Sequence, residues 1–210
     1  MAVSHPENSQ KQKRTTRMEG PERRELILKA ATQVFVRENY YGATTAKIAA
    51  AAGISEPVIY SHFKSKKDLF LEVLKKSHEG LLNWNAKVLN ENADPIKRYQ
   101  AFTDMYKYYT TQANRDSEIV WAVAAGVNDP DIKRQIRQAD EEIVEQLADN
   151  IRQAMEAGEI NSRHAPQALA RIIHGINAHL AWLILVGETH TQDWIYEEIK
   201  RLIEDVMKKE

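Results

Sequence analysis

Few residues in this 210-residue chain are placed to make or break bonds. It has no cysteine, which removes disulfides, thiolate metal sites and a cysteine nucleophile. His174 and His179 stand five apart, so they do not share a helical face as a metal-binding pair at i, i+4 would. His78-Glu79 lacks the second histidine of a zinc-protease helix, and no phosphate-cradling glycine loop or nucleophile elbow occurs. The expectation is a protein that is not an enzyme and uses no cofactor or metal. A different set of reactive groups is concentrated between residues 44 and 66. Thr44, Thr45, Lys47, Tyr60, His62 and Lys66 put hydroxyls, a phenol, an imidazole and amines into one short segment. Hydroxyls, phenols and imidazoles are natural hydrogen-bond partners of phosphate oxygens.

The charge distribution points the same way. Residues 1–78 hold 14 Lys and Arg against 8 Asp and Glu, whereas residues 79–210 hold 15 against 22. A basic front and an acidic rear imply an anionic partner for the front alone. They argue against a non-specific DNA-architectural protein, which needs extensive phosphate neutralisation. The most apolar run, "LAWLILVG" at 180–187, is far shorter than the ~20 residues that span a bilayer, and the first residues lack the apolar core of a signal peptide. A cytoplasmic protein with no membrane partner is expected.

The elements that must position these groups read as helices throughout. Ala, Leu, Ile, Glu, Lys, Arg and Gln dominate, and no convincing period-2 strand is present, so the fold class is all-α. Residues 1–20 read as a disordered basic arm. A helix starts at Pro21, with Leu26, Ile27, Ala30, Ala31, Val34 and Phe35 on one face, and ends near Asn39. Thr44 or Thr45 caps a second helix, "TAKIAAAA", which Gly53 terminates. Ser55 then caps a third, very short helix, whose proline at 57 falls in the first turn, where a missing N–H removes no helical bond. Ser65 caps a long helix from Lys66. Further helices are expected over 94–112, 116–127, 130–157, 165–187 and 191–208.

A helix, a tight glycine turn and a second short helix make a helix-turn-helix. The second helix can be short when neighbours clamp it, and its outer face can then enter a DNA major groove. The stretch "GATTAKIAAAAGISEPVIYSHFKSKKDLF" resembles the DNA-binding segment of the tetracycline-repressor (TetR) family of bacterial regulators. The likeness lies in Gly42, Thr44-Thr45, Ile48-Ala49, Ala52-Gly53, Ile59-Tyr60, His62-Phe63, Lys66 and Leu69-Phe70. It covers roughly residues 24–71 and implies a domain division into 21–66, a DNA-binding head, and 67–210, a helical effector-binding and dimerisation body.

The resemblance assigns phosphate contacts to Thr44, Thr45, Tyr60, His62 and Lys66, with Lys47 nearby. It assigns base contacts to Ala46, Glu56, Pro57, Val58 and Ser61. Glu56 can accept from cytosine N4–H₂ and Val58 can meet a thymine methyl, but none of these five can make a bidentate contact to guanine. The operator sequence is therefore not legible. Two half-sites imply a homodimer. Residues 169–187 are apolar on more than one side, so a partner subunit is expected to cover one face, through Ile172, Ile176, Leu180, Leu183, Ile199 and Leu202.

A small hydrophobic or amphipathic effector is expected among the aromatics of the middle helices, with Trp84, Phe102, Tyr106, Tyr109, Trp121, His174 and Asn177 as pocket residues and Asn83 among the available polar groups. The function expected is a ligand-responsive repressor of a palindromic operator. Control by a protein partner, or activation, is the alternative on the same fold.

Overall fold

The computed structural model describes residues 20–91, 94–103, 112–185 and 192–208. Among them are α1 (Gly20–Gly42), α2 (Thr45–Ala52), α3 (Glu56–His62), α4 (Lys66–Glu91), α5 (Pro95–Thr103), α6 (Gln112–Ala125), α7 (Pro130–Glu156), α8 (Pro166–Leu185) and α9 (Gln192–Met207). No strand occurs among the described residues, and the all-α class holds. The expected arm lies outside the described residues, as do 104–111 of the helix expected over 94–112.

The punctuation of the chain has local causes. α1 is broken at Asn39, whose φ of 54° and ψ of 179° leave the helical region. The Asn39 side chain compensates, its Oδ1 accepting from the N–H groups of Tyr41 and Gly42 at 2.9 and 3.0 Å. Thr44 caps α2 by accepting from Lys47 N–H at 3.2 Å. Gly53 closes α2 with φ 66°, and the following Ile54 N–H reaches back to Ala49 O at 3.0 Å. Ser55 holds the N-cap position of α3 in extended backbone, but its hydroxyl makes no capping bond; Pro57 and the Val58 N–H to Ser55 O bond of 3.0 Å set the start instead. α4 opens on a reciprocal pair: Asp68 N–H donates to Ser65 Oγ and Lys64 N–H donates to Asp68 Oδ2. Asp129 caps α7 through the N–H groups of Asp131 and Ile132.

A Cβ added at Gly53 meets nothing within 4 Å, so Gly53→Ala tests the backbone alone. The left-handed conformation costs a side-chain-bearing residue about 1 kcal/mol. The melting temperature should fall by roughly 2–4 °C in calorimetry, the shift that such a cost produces in a chain of this size.

Two apolar cores divide the molecule. The first holds Ile27, Phe35, Ile48, Ile59, Phe63 and Phe70, with Phe35 and Phe70 edge to face at 4.6 Å. It continues through Leu74 of α4 and takes in Val120 and Ala124 of α6, Val127 of the link that follows and Ile132 of α7. The head's packing therefore runs past residue 66, where the sequence placed its boundary. The second core gathers Leu89, Tyr99, Leu147, Ile151, Ile173 and Ile203. α4 belongs to both, which makes it the rod between head and body.

Candidate nucleic-acid interface

The short helix α3 is held from behind by its apolar side and by one arginine. Ile59 and Phe63 are 1 % exposed and anchor α3 in the first core. Arg24 of α1 spans three elements. It donates to His62 O at 3.3 Å and to Glu72 of α4 at 2.5 Å, and its guanidinium lies 4.4 Å from the Phe63 ring centre. Sequence reasoning missed Arg24; it bears on the helix's outer face only through this clamp.

The outer face of α3 carries Pro57, Tyr60 and Ser61, all exposed, with Glu56 and Val58 half-buried beside them. Ser61 Oγ donates to Val58 O at 2.7 Å. Thr44, Ala46 and Lys47 of the preceding cap and helix are exposed next to this face, and Lys64 follows it. Tyr60 keeps 52 % of its surface open to solvent. These residues form one surface of hydroxyls, a phenol and amines.

Two of the expected contact residues are turned inward, and a third, Lys47, is exposed but paired. Thr45 is buried, and its hydroxyl donates to Glu56 Oε1 at 2.5 Å. That commits its only proton, so the Tyr60 hydroxyl, 3.1 Å away, is the donor to Thr45. Thr45 thus braces Glu56 and Tyr60 from within rather than facing phosphate. Lys66 is turned inward as well. Its Nζ donates to Tyr40 O and Ala43 O at 2.9 and 3.0 Å and sits 4.7 Å from the Tyr40 ring centre. The ammonium fills the cup of carbonyls left where α1 ends, a structural task for a residue expected on phosphate. Lys47 is exposed but paired with Glu38 at 2.8 Å and bonded to Gly42 O at 3.1 Å. The Glu38 carboxyl is held below its ordinary range chiefly by Lys47 and then by Arg37. His62 is half-buried, its ring 6.4 Å from that of Phe63.

Lys66→Ala separates the two roles. It should lower the melting temperature while leaving the salt dependence of DNA binding unchanged. A phosphate-bound lysine would instead reduce the slope of log K against log salt by about 0.9 per half-site.

The head is also tied to the body at its upper edge. Lys67 pairs with Asp131 at 2.7 Å and Asp129 at 3.4 Å, and Asn128 N–H donates to Tyr41 Oη at 3.3 Å. Hydrogen bonds to Lys67 and Arg134 hold Asp131 below the usual carboxylate range. Burial works to raise Asp129, but the N–H groups of Ile132 and Asp131 and the Lys67 ammonium bring it below that range too. Hydrogen bonds to Asp131 and Asp129 raise Lys67 in turn.

Residues 27–73 match the model for bacterial regulatory proteins of the tetR family. Over this segment, and in its overall fold, the chain resembles the tetR family of transcriptional regulators. It is 29 % identical over 175 residues to the HTH-type transcriptional activator FasR of Mycolicibacterium smegmatis, covering 83 % of this chain and 71 % of that one. Its fold matches a TetR transcriptional regulator from Chloroflexus aurantiacus with a TM-score of 0.78 at 23 % identity, covering 90 % of this chain and 97 % of that one. It also matches FadR from Bacillus subtilis, solved in complex with stearoyl-CoA, with a TM-score of 0.72 at 17 % identity over 85 % of this chain and 96 % of that one. TetR-family members are DNA-binding regulators rather than enzymes, in line with the sequence reading. Among the described residues no helix is long and apolar enough to cross a membrane.

The body places the other expected residues less evenly. Trp121, His174 and Asn177 line a cavity of about 170 Å³ between α4, α6, α7 and α8. Trp84 packs instead against the second core. Tyr106 and Tyr109, and the side chains of Phe102 and Leu180, lie outside the described residues. His78 lines the cavity, although in the sequence it stood out only as half of a metal motif. Asn83 is exposed, whereas Asn85, two residues on, is 1 % exposed. Of the expected interface residues, Ile172 and Leu202 are 58 % and 54 % exposed. Ile176 and Leu183 are half-buried against the second core. Ile199, at 8 %, packs in the protomer's own core. Trp182 and Trp194, at 54 % and 67 %, supply exposed apolar area that the expectation left out.

Proposed function

We propose that this tetR-like protein is a homodimeric repressor that binds a palindromic operator through α2 and α3 and leaves it when a small, largely apolar effector enters the body. The observation that carries this reading is the pairing of two features in one chain. The recognition face is exposed and braced, and α4, which starts behind it, also walls the effector cavity through His78 and Leu81. Phosphate contacts fall to Thr44, Lys47, Tyr60 and His62, with Lys64 added, and base contacts to Ala46, Glu56, Pro57, Val58 and Ser61. Thr45 and Lys66 support them from inside.

The exposed Ile172, Trp182, Trp194 and Leu202 on α8 and α9 are large apolar side chains that a partner protomer would cover. The effector works by favouring one separation of the two heads over another, since a ligand shifts an equilibrium only by its differential affinity. A second reading, activation, has one observation behind it: the Mycolicibacterium relative is named an activator.

Native mass spectrometry of the purified chain, gentle and then denaturing, tests the proposal. A dimer carrying a small co-purified molecule is the expected result. A monomer under conditions that preserve known dimers would overturn it. A reporter placed behind the operator then fixes the sign, with transcription expected to rise when the regulator is removed.

A further inference from the structure

A carboxylate on a face turned toward DNA stands against phosphate charge, so what holds it there matters. Glu56 is the first residue of α3, and the N-terminal residues of a helix lying in a major groove are the ones that reach base edges. Its Oε1 accepts from the Thr45 hydroxyl at 2.5 Å. Its Oε2 has no hydrogen-bond partner among the described residues and stays open to solvent. Thr45 is 8 % exposed and belongs to α2, so this bond ties the two helices together across the Gly53 turn. A β-branched side chain is stiff about χ1, which makes the buried hydroxyl a fixed donor. An unheld glutamate would swing away from phosphate into solvent; the Thr45 bond opposes that and leaves one oxygen presented.

The chemistry of base edges turns a fixed carboxylate into a preference. An ionised carboxylate only accepts. In the major groove cytosine presents the N4–H₂ donor, whereas guanine presents the acceptors N7 and O6 and thymine the acceptor O4. Adenine couples its N6–H₂ donor to the acceptor N7. Oε2 therefore favours cytosine, suits adenine less, and repels guanine and thymine. The neighbours on this face do not compete for that role. Ala46, Pro57 and Val58 carry no polar side-chain group, and Ser61 has committed its hydroxyl proton to Val58 O at 2.7 Å.

We infer that Glu56 selects cytosine at one base pair of each operator half-site, with Thr45 as the positioning residue that fixes its carboxylate; this rests on α3 entering the major groove. Selection from random DNA by the full chain and by its Glu56→Gln and Thr45→Val variants tests it, followed by anisotropy titrations on the selected site with single bases exchanged. The parent should enrich cytosine at one position of each half-site and lose about tenfold in affinity for each such pair exchanged. Glu56→Gln, whose amide suits adenine N6 and N7, should move the preference at that position to adenine and leave the other positions unchanged. Thr45→Val keeps the shape and deletes the hydroxyl; it should flatten the preference there, and Thr45→Ser should restore it. Uniform weakening by Thr45→Val with the cytosine preference intact would remove Thr45 from this role. An inverted repeat in which Glu56→Gln selects the parent's bases throughout would overturn the inference and leave the DNA-binding reading standing. Enrichment of no sequence by the parent would overturn both.

Discussion

Tyr60→Ala should weaken operator binding about a hundredfold and do so for every sequence alike. Tyr60 is half open to solvent on the recognition face, and its hydroxyl is oriented by Thr45. A hydrogen bond to a charged phosphate contributes about 1.5 kcal/mol, roughly tenfold in affinity, and the two half-sites multiply. Because a phenol displaces no condensed cation, the slope of log K against log salt should not change. Lys64→Ala, by contrast, should lower that slope by about 0.9 per half-site. Tyr60→Phe separates the hydroxyl from the ring and should show most of the loss. Fluorescence anisotropy titrations at several salt concentrations read all three. Parent-like binding by Tyr60→Ala would remove Tyr60 from the phosphate contacts.

Ile172→Asp combined with Leu202→Asp should convert the dimer to monomer and abolish operator binding at concentrations where the parent is saturated. Both side chains are more than half exposed in the single protomer, so the charges should cost the isolated fold little. In the dimer each would be buried without a partner, at several kcal/mol per site. A monomer also loses the effective concentration that joins the two heads, which alone is worth orders of magnitude in affinity. Ile199→Ala is the contrasting variant. Its side chain sits in the protomer's own core, where such truncations cost about 2–5 kcal/mol. It should lower the melting temperature and leave the dimer assembled. Sedimentation velocity distinguishes the pair, and a stable dimer of the double variant would rule out this surface.

The head was legible because its punctuation is local. Gly53, Pro57 and Ser65 fix helix ends by backbone chemistry that acts within a few residues, and the structure places those ends where they were read. Roles that depend on tertiary surroundings were not legible. Lys66 reads as a charge beside a DNA-binding helix, yet the carbonyls it holds belong to Tyr40 and Ala43, brought to it only by folding. Thr45 looks equivalent to Thr44, but one helical step turns it from an exposed cap to a buried brace.

In the body, periodicity shows that a helix such as α9 has an apolar face, but not whether the protomer's own core or a partner covers it. Ile199 lies on that face of α9 and is buried in the protomer's own core. The choice of Asn83 over Asn85 reflects the same ambiguity, since two residues rotate a helix by about 200°. His78 carried a signal of a kind, a histidine on an apolar helix face, but its meaning came only with α6, α7 and α8 around it.

Selection of bound sequences from random DNA by the full-length chain tests the central claim most directly. An inverted repeat, occupied by two protomers and lost with Tyr60→Ala, is the result expected of a dimer reading two half-sites through α3. Enrichment of no sequence, or of a single unrepeated half-site bound by one protomer, would contradict it.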